Sequence, residues 1–407
     1  MKILMITVFP PIAVAEADHA LHLCEHLADY GAEMHVVAQE GCVSLSHPRI
    51  RIYSLMRNWS WAELPTLVRA TMRCSPDAVI LIYHGWIYPN HPMLTFAPAV
   101  LRTLRPDVHF VTLFEDAWGC DLSKTSLLSR AIRKALKQCF GEKGVDYEYG
   151  TLLRDSNRLI VVSDHTRATL AERFSGVNCK SVLIPCPPIM RIVPEDDGTA
   201  RRLKRTALGL KDDEFLIAYF GRICPGKGLE TLLKAFQTVS VQRRAVRLIL
   251  IGGYGYPFQP SYYQGLQAMP KELGIEDKVM WTGEYAWDSE DASRCLRAAD
   301  FCVLPFDLGV CVHNSSLAGA CAHGLPIITT SGTLTESVFI HKENVFLCPP
   351  KDPRALAQAM ETLMARPELR RHLSVGARGL AQESFSWEKA TECTIGALTR
   401  EISETTC

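Results

Sequence analysis

The sequence of 407 residues has no surplus of charge of either sign, because 44 lysines and arginines balance 44 aspartates and glutamates. Proteins that bind nucleic acid usually carry an excess of positive charge, so we expect no nucleic-acid partner. The sequence also lacks an apolar run of the roughly 18 residues that a membrane-spanning helix needs. Residues 1–9 are typical of a first strand ending at two prolines rather than of a secretion signal. These absences together favour a cytoplasmic protein.

Cysteine is present, but it lacks the spacing that would indicate a structural role. None of the 15 cysteines stands three positions from another, so the sequence contains no C-x-x-C pair of the kind found in zinc sites and redox motifs. We therefore predict reduced thiols, no disulfide framework and no metal ligands.

The pattern of apolar residues indicates two α/β domains. At this length a chain usually splits into two cores, and short apolar runs alternate with amphipathic stretches, which is typical of parallel sheets with connecting helices. The strands predicted for the first series are 2–9, 34–38, 78–83, 109–114, 158–162 and 181–184, and those for the second are 215–220, 246–252, 278–281, 300–304, 325–329 and 345–348. A segment rich in proline and acidic residues, 185–199, separates the two series. We accordingly predict domains at 1–190 and 200–384, followed by a helical stretch at 385–407.

The sharpest chemical signal is a glycine-rich loop at residues 220–228, between a predicted strand and a predicted helix. Its glycines allow backbone N–H groups to approach an anion, and the start of a helix adds partial positive charge. Arg222 and Lys227 supply two cations that could hold a diphosphate. Gly228 stands where a P-loop needs Ser or Thr for Mg²⁺, which argues against an NTPase and favours a site without a metal. The alternative is an ordinary turn with solvated Arg and Lys side chains.

This loop and the segments after it resemble glycosyltransferase family 4, whose members are retaining enzymes of the GT-B fold. The residues that carry the likeness are 221–236, 250–255, 279–283, 299–305, 322–328, Glu336, 344–350 and 385–388. The likeness is faint before about residue 215, where it rests on 9–11 and on the helix at 22–31.

The resemblance implies an α/β GT-B protein, with two Rossmann-like domains facing a central cleft and a C-terminal helix crossing back to the first domain. It implies a nucleotide-sugar donor, UDP- or GDP-linked, held by the C-terminal domain without a metal or another cofactor. Arg222 and Lys227 would bind its diphosphate, with Gly252 and Glu336 near the donor pocket. The acceptor would be a glycan, a lipid-linked sugar or a small molecule.

The sequence departs from this family at two glutamates that its members usually carry near the donor. The matching positions are Cys311 and Gly319. Residues 309–317 instead resemble the "GVS.R.GS" segment of a subgroup. In that segment Asn314 or Ser315 could cap a helix whose first N–H groups, together with Ser316, would face a phosphate. His313 would then contact sugar or phosphate, although these residues could equally serve only to cap the helix.

A second departure lies after the first strand, where Val14 and Ala15 replace a glycine pair that leaves room for the donor. Either the loop is displaced, or Glu16, Asp18 and His19 bind the acceptor. These three residues also fit the solvated first turn of a helix.

Glu115 and Asp116 are the candidates for the chemistry. They follow the predicted strand 109–114 at the place of a family histidine, and the carboxyl ends of parallel strands are where α/β sheets bind ligands. A carboxylate there could orient an acceptor hydroxyl or support a positively charged sugar centre. Both residues could also belong to an ordinary turn.

Two further segments allow more than one interpretation. Residues 83–86 offer an aromatic face for sugar stacking or a packed aromatic cluster. Residues 126–143 form a basic amphipathic pattern that could contact an anionic membrane at its inner face or pack on the domain itself.

A member of this family without its glutamates could also bind a nucleotide or glycan without turnover, or act as an epimerase or phosphorylase.

Overall fold

The computed structural model describes residues 1–88, 93–117, 148–194, 198–254 and 260–399. The chain divides into two compact units, one of Met1–Pro185 with Trp387–Cys407 and the other of Cys186–Ser386. In the described residues each unit is built on one parallel sheet with helices between most successive strands. The predicted α/β architecture of two Rossmann-like units is therefore confirmed.

The sheet of the first unit has seven strands in the described residues, in the order β3-β2-β1-β4-β5-β6-β7. These strands are β1 Lys2–Ile6, β2 Glu33–Gln39, β3 Ile50–Met56, β4 Ala78–Tyr83, β5 His109–Phe114, β6 Arg158–Val161 and β7 Ser181–Leu183. The helices of this part are α1 Ala15–Asp29, α2 Leu64–Cys74, α3 Ala97–Leu104, α4 Leu152–Asp155, α5 Asp164–Arg173 and α6 Val177–Lys180. Strands β4 and β5 are buried along their whole length, which is why they consist almost entirely of apolar residues.

Strand β3 is absent from the sequence-based prediction. It pairs with β2 at the edge of the sheet, and Arg51, Ser54 and Leu55 on it are exposed. An edge strand with a half-solvated surface needs no continuous apolar run, so the periodicity did not indicate it.

The sheet of the second unit has six strands in the described residues, in the order β10-β9-β8-β11-β12-β13. They are β8 Phe215–Phe220, β9 Val246–Ile251, β10 Val279–Trp281, β11 Phe301–Leu304, β12 Ile327–Thr330 and β13 Phe346–Cys348. The helices are α7 Thr199–Ala207, α8 Leu229–Gln242, α9 Pro260–Glu272, α10 Asp291–Ala298, α11 Ser315–Ala322, α12 Pro353–Ala365 and α13 Pro367–Glu383. All six strands match predicted apolar runs to within two residues.

The last described helix, α14 Trp387–Leu398, belongs to the first unit, where it packs against α1, β5 and β6. The Trp387 ring stacks on His26 of α1, with ring centres 4.7 Å apart. On the same helix Cys393 is disulfide-bonded, so the expectation of reduced thiols is wrong at this position.

A buried histidine links α10 to α11 in the core of the second unit. The Nδ1 of His323 lies 2.7 Å from the carbonyl oxygen of Gly319, and its Nε2 lies 2.6 Å from the Ser293 hydroxyl. A carbonyl only accepts hydrogen bonds, so Nδ1 carries the proton and Nε2 accepts from Ser293. Burial is the main cause that lowers the pKa of His323, to about 4. The ring is therefore neutral at neutral pH.

We expect this histidine to make the second unit sensitive to acid. Because its folded pKa lies below the unfolded value of about 6.5, its contribution to stability is complete above that value and is lost as pH falls towards 4. The free energy of unfolding should fall by about 3 kcal/mol over this range. Urea unfolding at several pH values would measure the loss. In His323→Asn, which keeps a donor for Gly319, this loss should disappear, and an unchanged pH dependence would contradict the assignment.

Candidate functional site

Both sheets have a point where the direction of strand order reverses, between β1 and β4 in the first unit and between β8 and β11 in the second. Open α/β sheets bind ligands beyond the carboxyl ends of the strands at such points. The predicted glycine-rich loop follows β8, and the predicted carboxylates follow β5, next to β4. Each candidate group therefore lies at the carboxyl ends of the strands of its own sheet, where a ligand site is expected.

The glycine-rich loop, residues 221–228, has a backbone that only glycine accommodates at its end. Gly228 has a φ of 72° and lies immediately before α8, and a Cβ added there would be 1.9 Å from the carbonyl oxygen of Pro305. The loop thus packs tightly against Pro305, the residue that follows β11. Gly228 has no side chain to cap α8, so the first N–H groups of this helix have no partner within it.

Hydrogen bonds fix the glycine-rich loop to its neighbours. The Asp307 N–H donates to the carbonyl of Gly226 at 2.9 Å, and the Tyr219 hydroxyl donates to the carbonyl of Arg222 at 2.9 Å. Gly252, at the end of β9, approaches so closely that a Cβ there would be 2.3 Å from the Gly221 carbonyl oxygen. Gly252, which was predicted to lie near the donor pocket, is therefore in close contact with the glycine-rich loop.

The two cations of the loop have different surroundings. The Arg222 guanidinium lies 3.9 Å from the Glu284 carboxylate, and both side chains are partly exposed. The ammonium of Lys227 lies 5.1 Å from the centre of the Phe306 ring, and within the described residues it forms no ion pair with a carboxylate. A cation over an aromatic face keeps most of its capacity to bind an anion.

The start of α11 lies beside this loop. The position of a Cβ on Gly221 would be 3.2 Å from the Cβ of Ser316, in the first turn of the helix. Ser315 begins the helix and Asn314 occupies the position before it, as predicted. The starts of α8 and α11 are therefore both adjacent to residues 221–228.

The prediction that Asn314 caps α11 is wrong. Its Oδ1 accepts instead from the backbone N–H of Cys311 at 3.0 Å, so the side chain turns back into the preceding loop. This leaves the first N–H groups of α11 without a side-chain partner from Asn314, which keeps them available for a ligand.

The loop before α11 is held by the other predicted residues. Glu336 accepts a hydrogen bond from the backbone N–H of Val312 at 2.6 Å, and Nδ1 of His313 lies 2.9 Å from the sulfur of Cys311. Glu336 therefore positions this loop through Val312.

The structure shows what occupies the places of the two family glutamates. Cys311 is buried beside His313. At Gly319 an added Cβ would be 2.8 Å from the Phe220 ring and 3.2 Å from the sulfur of Met190. Any side chain larger than that of glycine at position 319 would displace Phe220 and Met190.

In the first unit, the predicted carboxylates lie among two histidines. Glu115 contacts Nδ1 of His19, which is on the first turns of α1. Glu16, also on α1, accepts from Nδ1 of His84 at 2.5 Å, just beyond β4. Asp116 accepts from the N–H of Ala117 at 2.6 Å and acts electrostatically on His84. The sequence indicated these residues one at a time, but nothing in it indicated the pairs.

The histidines are protonated more readily than free imidazole. Burial alone lowers the pKa of His19, but the charge of Glu115 and its hydrogen bond outweigh burial, so that the net pKa is raised. Burial also lowers the pKa of His84, but the hydrogen bond and the charge of Glu16 outweigh burial, so that the net pKa is raised. Each histidine lies within ion-pair distance of a carboxylate.

Two other predictions about the first unit have different outcomes. Val14, which replaces the first glycine of the family pair, is buried in the core of this unit. The basic segment 126–143 lies outside the described residues. In the part of the chain that the structure describes, no helix has the length and apolarity to cross a bilayer.

Comparison with known proteins relates the second unit to sugar transferases. Residues 200–379 match the family "Glycosyl transferases group 1". A D-inositol 3-phosphate glycosyltransferase of Xylanimonas cellulosilytica is 30% identical over 198 residues, which are 48% of this chain and 44% of the relative. The chain thus spans less than half the length of that relative. Residues 200–379, which lie in the second unit, are thus similar to this glycosyltransferase family.

Solved structures share the fold over nearly the whole chain. Sucrose-phosphate synthase of Thermosynechococcus elongatus has a TM-score of 0.71 at 21% identity, and the match covers 98% of each chain. HepE of Anabaena, in complex with UDP and glucose, has a TM-score of 0.69 at 15% identity, with 98% of this chain and 99% of that chain covered. These matches confirm the GT-B fold that the sequence predicts.

Proposed function

We propose that this chain is a glycosyltransferase that takes a sugar from a nucleotide-diphosphate donor, bound by the second unit. One observation carries the proposal. Residues 221–228, at the strand-order reversal of the second sheet, place Arg222 and Lys227 beside the starts of α8 and α11. Two cations and two helix starts suit a group with two phosphates. The family match of residues 200–379 supports the same function.

The donor end of the proposed reaction needs no metal ion. Arg222 and Lys227 offset the negative charge that develops on the departing diphosphate, and the N–H groups of α11 at Ser315 and Ser316 add donors. His313 contacts the sugar or its phosphate. The donor is a UDP- or GDP-sugar.

The acceptor end is assigned to the first unit, with Glu115 and Asp116 as the residues closest to the chemistry. The bond between the anomeric carbon and the diphosphate oxygen breaks, and a bond to the acceptor oxygen forms on the same face, as the family 4 resemblance implies. The departing diphosphate takes the acceptor proton, so no separate base is required. The carboxylates orient the hydroxyl and stabilise the positive charge on the sugar. The acceptor is a glycan, a lipid-linked sugar or a small molecule, and residues 126–143 would bring the protein to the inner face of a membrane.

A panel of UDP-, GDP- and ADP-sugars tests this function. A donor present at about 100 times its Kd should stabilise the second unit by about 2.7 kcal/mol and raise its melting temperature by roughly 5 to 10 °C. We expect one base to give this shift and its sugar to be released slowly to water. A shift without release or transfer of sugar would instead indicate a non-catalytic relative. The absence of a shift with every donor would contradict the proposal.

A further inference from the structure

The two imidazole–carboxylate pairs of the first unit connect three elements at one edge of its sheet. Glu16 and His19 stand three positions apart on α1, so they share a face of the helix. His84 follows β4 and Glu115 follows β5, and these strands are neighbours. Each pair joins α1 to a different strand end: Glu16 contacts His84 after β4, and His19 contacts Glu115 after β5.

Core packing does not account for these four residues. Glu16 and His19 are only 7% and 5% exposed. Removing charged groups from water costs several kcal/mol per ion, and replacing a buried ion pair with apolar residues is often neutral or stabilising. Perturbed ionisable groups of this kind cluster at functional sites.

The geometry leaves one nitrogen on each ring without a protein partner in the described residues. Nδ1 of both histidines is engaged by a carboxylate, and among the described residues Nε2 of His19 and Nε2 of His84 have no hydrogen-bond partner. The His19 and His84 side chains are 6% and 13% exposed. The His19 ring also lies 5.8 Å from Trp387, which helps to fix its orientation. The Nε2 atoms of two imidazole rings therefore lie at one edge, where each can form a hydrogen bond with a hydroxyl group.

The charge of the cluster selects the class of ligand. Glu16, Glu115 and Asp116 face two imidazoles, so in the described part of this edge there is no positive surplus for a phosphate. The Trp86 ring lies 5.4 Å from the His84 ring and adds an apolar face. Hydrogen-bond donors beside an aromatic ring suit a neutral, hydroxyl-rich molecule such as a sugar or a cyclic polyol.

We propose that Nε2 of His19 and Nε2 of His84 bind hydroxyl groups of an uncharged carbohydrate or polyol acceptor. This inference rests on the proposed function, and it names the class of acceptor and the side chains that hold it. His19 and His84 contact the ligand, while Glu115 and Glu16 position the two rings.

Asparagine variants separate ligand binding from a purely structural role. The side-chain amide of Asn replaces Nδ1–H, and so keeps the bond to the carboxylate, but it provides nothing at the place of Nε2. In His19→Asn and His84→Asn the melting temperature should therefore stay within a few degrees of the wild type, while the Kd for the ligand rises about tenfold or more. His47→Asn, which changes a histidine paired with Asp29 in the same unit, is the matched control and should bind as the wild type does.

The measurement is saturation-transfer NMR on the full chain, with myo-inositol, methyl α-glucoside and methyl α-mannoside as neutral probes and inorganic phosphate as the anionic probe. The proposal predicts binding of at least one neutral probe, and loss of that binding in both Asn variants. It is overturned if the wild type binds none of the neutral probes, if it binds only phosphate, or if both Asn variants bind as the wild type does. Titration of a nucleoside diphosphate into the same samples reports the second unit separately, so failure of the donor site and failure of this acceptor site are distinguishable.

Discussion

Replacing Gly228 with alanine is expected to destabilise the second unit by about 3 to 5 kcal/mol and to abolish binding of a nucleotide sugar. The new Cβ would be 1.9 Å from the carbonyl oxygen of Pro305. The backbone fixes the position of both atoms, so the clash is relieved only if the start of α8 or the end of β11 shifts. The φ of 72° adds strain for any residue with a side chain. Urea unfolding measures the loss of stability, and calorimetric titration measures the loss of binding.

Gly226→Ala is the matched control within the same loop. Its φ of 88° imposes a similar backbone strain, but an added Cβ meets nothing within 4 Å. We therefore expect a cost of only about 1 to 2 kcal/mol and retention of most of the donor affinity. Equal stability of the two variants would show that the loop is not wedged against Pro305.

Element positions were predictable because buried parallel strands leave a clear pattern. Strand β8 and helix α8 follow from the apolar run and from the helical spacing after residue 228, and the charged loop between them follows from the glycines. Strand β3 was missed for the opposite reason, since its exposed residues at the sheet edge need not be apolar.

The contacts within the candidate sites were not predictable from the pattern. His19 and Glu115 are 96 positions apart, and His84 and Glu16 are 68 apart. Periodicity shows which strand ends meet at one edge, but the pairing of side chains across that edge depends on the packing of α1. The spacing of Glu16 and His19 places them on one helix face, but it does not identify the partner of either residue.

Local propensity also led to a wrong prediction at Asn314, which does not cap α11. Asparagine is a favourable residue before a helix, and the helix does begin at Ser315, but the side chain satisfies the Cys311 N–H instead. Both of these N–H donors are local, and propensity alone does not decide which of them the Asn314 side chain accepts from.

The most direct measurement is calorimetric titration of the preferred nucleoside diphosphate, and of the corresponding monophosphate, into the wild type and into Arg222→Ala/Lys227→Ala. Each charge-assisted contact contributes about 1.5 to 3 kcal/mol, so the double variant should bind the diphosphate roughly 100-fold or more weakly. Its affinity for the monophosphate should fall much less. Lys234→Ala, which removes an exposed lysine further along α8, is the control and should bind as the wild type does. Unchanged affinity of the double variant for the diphosphate would contradict the account.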